Sequence, residues 1–386
     1  MKITGIETLC LAWRMPYPIT YAKGEYQDRE AVLVKVLTDD PDIFGWGESA
    51  LWGGPHASTV AVIEKELEPL VVGEDPRRPE YLWDKVFHST YLHGRKGMVI
   101  ACLSGIDIAC WDILGKCAEQ PLWRLFGGYG RPVTAYSSSG YYRRDDSVDA
   151  FAARVGEARS DGFRGYKMKI GNIAEVPRHE EVPFKVTFDE DIERLSAARE
   201  AIGSDRDLMA DANCSLTPRT AMRYAEHLER LEVRWFEEPV APENISGCVE
   251  LANRTRIAIA GFESETTATT FARLMDASAI QIAQPDVVQV GGLTEFQKVA
   301  AYAGLRHLVV TGKNYSTAVG QAATLAVLYA VAHGDYFEEE ADPLPWRSEI
   351  VSQPYLTRED GRVAPTDEPG LGVAIDEAKL AQWRVD

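Results

Sequence analysis

The chain has 386 residues, of which 45% are hydrophobic and 26% are charged, and its formal net charge is −18. This length suits a barrel-sized domain of roughly 250 residues accompanied by a smaller domain. A surface this acidic argues against nucleic acids and anionic membranes as partners. An anionic substrate would need a local positive centre, such as a metal ion or a group of lysines.

The cysteines and the N-terminus indicate a cytoplasmic protein. The six cysteines show neither CxxC nor zinc-site spacing, which favours reduced, buried thiols over a disulfide framework. The first 13 residues lack the apolar core and the cleavage site of a signal peptide. The longest apolar run, around residues 322–332, is too short to span a bilayer.

The first third of the chain predicts an α+β domain. Residues 3–13 and 31–38 are expected to form paired strands, and residues 59–70 carry apolar side chains at helical spacing. Residues 98–116 are long and mostly apolar, which predicts a buried helix. The segment FGGYGRP at residues 126–132 is rich in glycine and is typical of a domain boundary.

From residue 133 onward, short β-type runs alternate with amphipathic helices. The helices include residues 189–202, 218–231 and 294–303. The eight candidate strands are residues 133–137, 165–170, 207–211, 233–237, 257–262, 279–283, 307–311 and 335–338.

Eight such units predict a closed (β/α)8 or (β/α)7β TIM-type barrel. The alternative is an open doubly wound sheet, but the turn SSSGYY after the first barrel strand is a poor phosphate-binding turn. We therefore predict an α+β capping domain at 1–130, a catalytic barrel at 131–345 and a C-terminal segment at 346–386 that returns to the capping domain.

Charged residues recur where these strands end, at successive spacings of 26, 26, 23, 27 and 25 residues. They are Asp211, Glu237, Glu263, Asp286, Lys313 and Glu338. Each step is one β/α unit, so all six should lie at the C-terminal rim, where barrel active sites are found. Chance alignment of abundant acidic residues is the alternative. Against it, the first three are embedded in apolar strand ends, where buried carboxylates need a cation. Their oxygen ligands favour one Mg²⁺ per site.

Two lysines precede this series in the segment GYKMKIG. Lys167 and Lys169 are two apart on a strand, so both side chains should face the barrel interior. A lysine beside a metal and another lysine should have a lowered pKa, which would make Lys169 a candidate general base and leave Lys167 to hold a substrate carboxylate. The alternative is a solvated pair on an edge strand.

Five ordered motifs resemble the enolase superfamily: GYKMKIG, MADAN, FEEP, IAGFE and QPDVVQVGGLTEF. The resemblance covers nearly the whole chain and includes the stretch SGIDIACWDILGKCAEQPLWRLFGG in the first domain. It implies Mg²⁺ bound by Asp211, Glu237 and Glu263, and removal of the proton α to a carboxylate by Lys169 to give a stabilised enolate. It also implies that the first domain caps the barrel and supplies specificity loops.

The branch of the family is indicated by the sixth and seventh strand ends. At the end of the sixth barrel strand this sequence has Asp286, which resembles the mandelate racemase-like branch. The muconate cycloisomerase-like branch has a lysine at that position. In the former branch the Asp pairs with a His, but this sequence reads GKNYSTA and places Lys313 at the His position. An Asp286–Lys313 pair would favour the charged lysine, because a nearby carboxylate raises its pKa. Lys313 is then a candidate acid or substrate-binding group, and less securely a base.

Further candidates follow from position. Glu338 resembles the carboxylic acid of the eighth strand that hydrogen-bonds the developing enolate. The candidate substrate contacts are Asn213, Tyr136, Arg14 and Tyr17, with Trp52 and His56 in a second cap loop. Residues 171–188 form a long loop after the lysine strand, and we interpret it as a lid or an oligomer contact.

The sequence thus predicts an Mg²⁺-dependent hydro-lyase that dehydrates an acid sugar or related hydroxy-carboxylate to a 2-keto-3-deoxy acid. The alternatives are a racemase, epimerase or cycloisomerase of a carboxylate, and a metal-bound binding protein without activity. We expect a small-molecule carboxylate substrate and a homo-oligomer.

Overall fold

The computed structural model describes residues 1–50, 54–144, 146–174 and 182–385. The chain begins with β1 (Ile3–Tyr21) and β2 (Gly24–Thr38), which form a long antiparallel hairpin, and β3 (Gly45–Ser49) pairs with β2. The hairpin extends well beyond the predicted strands, so its tip reaches residues 20–26. There, Thr20 exchanges backbone hydrogen bonds with Tyr142, just after the first barrel strand.

Helices cover one face of this sheet. They are α1 (His56–Val62), a π-helical turn (Ile63–Leu67), α2 (Glu68–Val71), α3 (Pro79–Ser89), α4 (Met98–Cys117) and α5 (Leu122–Leu125). Helix α4 is buried as predicted, and it approaches β3 so closely that a Cβ on Gly47 would lie 1.8 Å from the carbonyl oxygen of Gly105. Its length and apolar composition would allow it to cross a membrane, but most of it is buried inside the protein, as in a core helix.

The second sheet is a closed barrel of eight parallel strands. They are β4 (Val133–Gly140), β5 (Gly165–Lys169), β6 (Asp207–Asp211), β7 (Trp235–Glu237), β8 (Ala258–Gly261), β9 (Ile282–Ala283), β10 (Val309–Gly312) and β11 (Gly334–Glu339). Strand β11 pairs with β4 and closes the barrel, so the predicted barrel is confirmed and the open-sheet alternative is wrong.

Seven helices connect these strands. They are α6 (Val148–Ser160), α7 (Phe188–Ile202), α8 (Pro218–Arg230), α9 (Ile245–Arg254), α10 (Ala268–Asp276), α11 (Gly292–Leu305) and α12 (Ala318–Ala330). Threonine or serine side chains cap several of their N-termini, and Thr187 forms a reciprocal capping box with Glu190 at the start of α7. Large side chains fill the floor of the barrel, with Trp235 packed edge-to-face against Tyr136 and Tyr336.

The remaining chain runs back to the first sheet. It comprises a 3₁₀ turn (Pro345–Arg347), β12 (Leu356–Glu359), β13 (Arg362–Pro365), α13 (Glu377–Leu380) and β14 (Arg384–Val385). Strand β13 pairs antiparallel with β4 of the barrel, whereas β14 pairs antiparallel with β1 of the first sheet.

Buried carboxylates of the first domain cap barrel helices. Glu48 of β3 accepts hydrogen bonds from the backbone and hydroxyl of Thr317 and from the backbone of Gly320 at the start of α12. Asp107 of α4 accepts hydrogen bonds from the backbone and hydroxyl of Thr294 in the first turn of α11. Because helix N-termini carry unsatisfied N–H groups and partial positive charge, these contacts fix the first domain on the barrel.

Candidate active site

Three carboxylates lie at the C-terminal ends of adjacent barrel strands. Asp211 and Glu237 are the last residues of β6 and β7 and are in register with each other. Glu263 lies two residues beyond the end of β8. Asp211 and Glu237 are fully buried, and the Glu263 side chain is 13% exposed. Three negative charges in so enclosed a place require neutralising cations.

Each of these carboxylates lies against a different lysine. The Nζ atom of Lys169 is 2.5 Å from Oδ2 of Asp211, and that of Lys167 is 2.5 Å from Oε1 of Glu237. The third pair joins Lys313 to Glu263 at 2.7 Å. All three lysines are buried. Each of these three carboxylates therefore has a lysine as an ion-pair partner.

Glu338, at the end of β11, lies between two of the lysines. Its Oε1 is 2.8 Å from Lys167 and 3.5 Å from Lys313, and its Oε2 accepts the backbone N–H of Asn314 at 2.9 Å. Burial alone would raise the pKa of Glu338, but the two ammonium groups outweigh it and lower the pKa below its usual range. In this arrangement Glu338 is an ionised acceptor rather than the hydrogen-bond donor that the family resemblance implies.

The pKa of Lys167 is raised well above its usual value. Burial would lower the pKa, but the carboxylates of Glu237 and Glu338 more than compensate. Glu237 is held in place by further donors, because its Oε2 accepts hydrogen bonds from Trp235 Nε1 and Gln284 Nε2, both at 2.9 Å. Lys167 is thus fixed as an ammonium group in the barrel interior.

The expected Asp286–Lys313 ion pair does not form. Asp286 and Lys313 are joined only through their backbones, while the ammonium group of Lys313 lies between Glu263 and Glu338. Burial would lower the pKa of Lys313, but these two carboxylates raise it well above its usual value. Our prediction of a raised pKa was right in direction and wrong in the partner.

Asp286 itself is enclosed and poorly satisfied. Its Oδ1 accepts the backbone N–H of Val288 at 3.0 Å, and its Oδ2 has no hydrogen-bond partner among the described residues. Burial raises the pKa of Asp286 well above its usual value, with Lys313 opposing that shift only in part.

The carboxylate set has the chemistry of a site for a hard divalent cation. Among residues 1–50, 54–144, 146–174 and 182–385, no three His, Cys, Asp or Glu side chains are grouped as a ready-made metal site. However, Asp211, Glu237 and Glu263 offer only oxygen atoms from neighbouring strands, and each already contacts a positive group. Oxygen donors with this demand for positive charge fit Mg²⁺.

The predicted substrate contacts are only partly brought to this rim. Asn213 is buried two residues beyond Asp211, and its Oδ1 has no partner among the described residues. Tyr136 lies fully buried beneath Lys167, whose Nζ is 5.4 Å from the ring centroid, so it belongs to the barrel floor. Tyr17 donates a hydrogen bond to Asp342 at 3.0 Å and so connects the hairpin to the segment after β11.

Arg14 is not brought to the site. Its side chain is 66% exposed and makes a two-pronged ion pair with Asp28 across the hairpin, which directs it to solvent. His56 lies 3.2 Å from Glu30. Trp52 and residues 175–181 of the long loop lie outside the described residues.

Sequence reasoning missed an aromatic cluster of the hairpin tip. Tyr26 of β2 contacts Tyr315 through their hydroxyl groups, and its hydroxyl lies 3.3 Å from that of Tyr141. The available signal was weak: Tyr315 follows Lys313 by two residues, but nothing local connects it to Tyr26, which lies 289 residues earlier.

The chain matches two family models across most of its length. Residues 3–127 match the model described as Mandelate racemase / muconate lactonizing enzyme, N-terminal domain. Residues 150–379 match the model described as Enolase C-terminal domain-like. Together they cover the capping sheet, its helices and most of the barrel.

Two characterised proteins are similar over nearly their whole length. An arabinonate dehydratase from Saccharolobus solfataricus is 31% identical over 380 residues, covering 95% of this chain and 97% of that protein. A D-galactarolactone cycloisomerase from Agrobacterium fabrum is 32% identical over 395 residues, covering 100% of this chain and 99% of that protein. Among solved structures, a racemase from Streptomyces coelicolor A3(2) with bound magnesium has a TM-score of 0.88 and 29% identity, covering 99% of this chain and 100% of that one.

Proposed function

Because this chain belongs to the mandelate racemase and muconate lactonizing enzyme family of the enolase superfamily, we propose that it dehydrates an acid sugar to a 2-keto-3-deoxy acid with the help of one Mg²⁺. The observation that carries this proposal is the pairing of Asp211, Glu237 and Glu263 with three buried lysines at the barrel mouth. Such a site offers both ligands for a cation and groups that move protons.

Asp211, Glu237 and Glu263 are the proposed metal ligands. They come from three consecutive strands, and their present partners are positively charged, which supports a cation at this position. When bound, Mg²⁺ would withdraw negative charge from the substrate carboxylate and make the neighbouring C–H bond more acidic. The global charge of −18 would repel a carboxylate substrate, so the metal and the lysines supply the local attraction.

The lysines divide the proton transfers between them. Lys169, in its neutral amine form, takes the proton from C2 as the C2–H bond breaks, and Lys167 donates hydrogen bonds to the substrate carboxylate. Lys313 gives a proton to the C3 hydroxyl as the C3–O bond breaks, so that this group leaves as water. The resulting enol becomes the 2-keto acid when a proton adds at C3 and the C2 hydroxyl loses its proton. Lys167 and Lys313 both contact Oε1 of Glu338, which supports their positions for these two tasks.

Isomerisation is the second candidate, and the identity of 32% over the full chain to a cycloisomerase favours it. In that reaction Lys313 would return a proton to carbon instead of to a leaving oxygen. Dehydration and isomerisation share the first step, so both need Lys169. They differ in whether a carbonyl product with one fewer water molecule accumulates.

The test is a screen of pentonates, hexonates and their lactones with MgCl₂ in D₂O. A dehydratase should yield a product that reacts with semicarbazide, whereas a racemase or epimerase should instead place deuterium at C2 of the recovered substrate. Lys85→Ala is a matched control, because Lys85 pairs with Glu74 in the capping domain, away from the barrel mouth. The proposal fails if neither product nor exchange appears in any member of the screen, while a cycloisomerase would be identified by product mass equal to that of the substrate.

We also propose the roles of the domains, the cellular compartment and the oligomeric state. Residues 1–130 act as the cap, residues 131–345 as the catalytic barrel and residues 346–386 as the segment that returns to the cap. All six cysteines are free thiols, which supports a reducing cytoplasm. We expect a homo-oligomer, which light scattering after gel filtration can test.

A further inference from the structure

The tip of the capping hairpin carries a tyrosine that contacts two tyrosines of the barrel. The hydroxyl of Tyr26 is in contact with that of Tyr315 and lies 3.3 Å from that of Tyr141. The Tyr26 ring meets both others edge-on, with centroids 6.4 Å from Tyr141 and 6.2 Å from Tyr315. Three hydroxyl groups from two domains thus form one hydrogen-bonded chain.

Each end of this chain lies beside a lysine of the proposed site. The Nζ atom of Lys169 is 5.2 Å from the centroid of Tyr141, and that of Lys313 is 5.8 Å from the centroid of Tyr315. Lys169 is the last residue of β5, and Lys313 directly follows the last residue of β10. The two lysines therefore lie on different sides of the barrel mouth. The hydroxyl chain therefore spans the space between them.

The cluster is held by buried charges. The guanidinium group of Arg29 lies 3.6 Å from the centroid of Tyr315 and makes a two-pronged ion pair with Glu340 at 2.8 and 2.9 Å. Arg347 donates to the same carboxylate at 2.8 Å. Arg29 and Glu340 are almost completely buried. The position of Tyr315 is therefore fixed by contacts within the protein and does not depend on a bound substrate.

The count of hydrogens leaves one donor unused. Three hydroxyl groups carry three hydrogens, and two hydroxyl–hydroxyl contacts use two of them. If Tyr26 donates to Tyr141 and accepts from Tyr315, the remaining hydrogen belongs to Tyr141, the tyrosine beside Lys169. Burial raises the pKa of Tyr141 well above its usual value, so this hydroxyl keeps its hydrogen at neutral pH.

We propose that Tyr26 is a specificity-determining residue that directs the spare hydroxyl hydrogen of this chain to a hydroxyl of a polyhydroxylated carboxylate held between Lys169 and Lys313. The inference rests on the proposed function for the substrate class. It extends that function by assigning recognition of the hydroxyl groups beyond C3 to a contact between the capping domain and the barrel. A substrate that lacks those hydroxyl groups gains nothing from the chain.

Tyr26→Phe tests this, because it keeps the ring and removes only the central hydroxyl. Calorimetric titration with MgCl₂ present would compare the strongest-binding aldonate of the screen with D-glycerate, which has the C2 and C3 hydroxyls and no others. Tyr26→Phe removes the group that orients the Tyr141 hydroxyl, so we expect aldonate binding to weaken by up to the value of one neutral hydrogen bond, about five- to tenfold, and glycerate binding by less than twofold. Tyr336→Phe, which removes a buried hydroxyl from the barrel floor, should leave the aldonate-to-glycerate ratio unchanged.

Equal losses for both ligands, or no loss for either, would overturn the proposal. Tyr141→Phe provides a second route if Tyr26→Phe does not fold, and it should change the same ratio. Binding is compared in the Lys169→Ala background, where we expect no turnover, so the two ideas separate. Discrimination by Tyr26 without any dehydration would contradict the proposed function alone, and dehydration without discrimination would contradict this inference alone.

Discussion

The Nζ atom of Lys313 lies 2.7 Å from Oε2 of Glu263. This contact joins a proposed proton donor to a proposed metal ligand, and it replaces the Asp286–Lys313 pair that the sequence pattern had led us to expect. It implies that Lys313 and a divalent cation compete for the same carboxylate, because both positive groups cannot approach Glu263 without repelling each other.

Replacement of Lys313 by methionine should therefore tighten Mg²⁺ binding while it reduces turnover. Removal of a buried positive charge next to a ligand should favour a second cation by roughly tenfold or more in affinity. Calorimetric titration of MgCl₂ into wild type and Lys313→Met would measure this. Glu263→Gln should weaken binding, and Lys85→Met should leave it unchanged. Weaker binding by Lys313→Met would show that the lysine supports the metal site rather than competing with it.

The capping domain should depend on Glu48 for its attachment to the barrel. Glu48→Gln keeps the size of the side chain but puts an NH₂ group against the N–H groups of α12, so we expect a loss of about 1–3 kcal/mol in the free energy of unfolding. Urea denaturation followed by tryptophan fluorescence can measure this loss. Glu7→Gln, at a side chain that is 55% exposed, is the matched control and should change stability by less than about 0.5 kcal/mol. Equal stability of the two variants would contradict a docking role for Glu48.

The contribution of Asp107 to the free energy of unfolding should decrease as the pH rises from 4 to 7. Burial raises the pKa of Asp107 to about 7 from an ordinary value of 3.8, although its bonds to Thr294 oppose the shift. The folded state thus binds a proton that the unfolded state has already lost in this range. The stabilising contribution is complete below the unfolded pKa and disappears as the pH rises through 7, up to about 4 kcal/mol.

The difference between wild type and Asp107→Asn isolates this effect, because asparagine cannot titrate. Urea unfolding at pH 4, 5, 6 and 7 should show a steeper decline in wild type than in Asp107→Asn. Asp84→Asn, at a side chain that is 69% exposed on α3, should keep the wild-type slope. Parallel slopes for wild type and Asp107→Asn would mean that Asp107 is ionised across the whole range.

The barrel could be predicted because its signals are local and periodic. From Asp211 to Glu338, charged residues recur at strand ends, each one β/α unit after the previous one. All of them could therefore be assigned to the C-terminal rim of the barrel. Strand bounds were less accurate. The predicted strand at residues 279–283 is reduced to Ile282–Ala283, since only these two residues find parallel partners on both sides.

The side-chain partners could not be predicted, because they depend on contacts far apart in the sequence. Lys313 and Asp286 both lie at the barrel rim, as predicted. The ammonium group of Lys313, however, contacts Glu263 after β8 and Glu338 at the end of β11. Arg29 meets Glu340 across 311 residues. Local patterns indicate which residues face the barrel mouth, whereas the distances between side-chain tips depend on the packing of the whole molecule.

The central claim is that Lys169 removes the proton next to the substrate carboxylate in a reaction that needs Mg²⁺. The most direct measurement is the deuterium content at C2 of substrate and the yield of 2-keto-3-deoxy product, for wild type and Lys169→Ala with MgCl₂ and for wild type with EDTA. Wild type should form product, and both Lys169→Ala and the EDTA-treated enzyme should form less than about one-hundredth as much, as expected for loss of a general base or a metal. Product formation by Lys169→Ala at the wild-type rate would contradict the account.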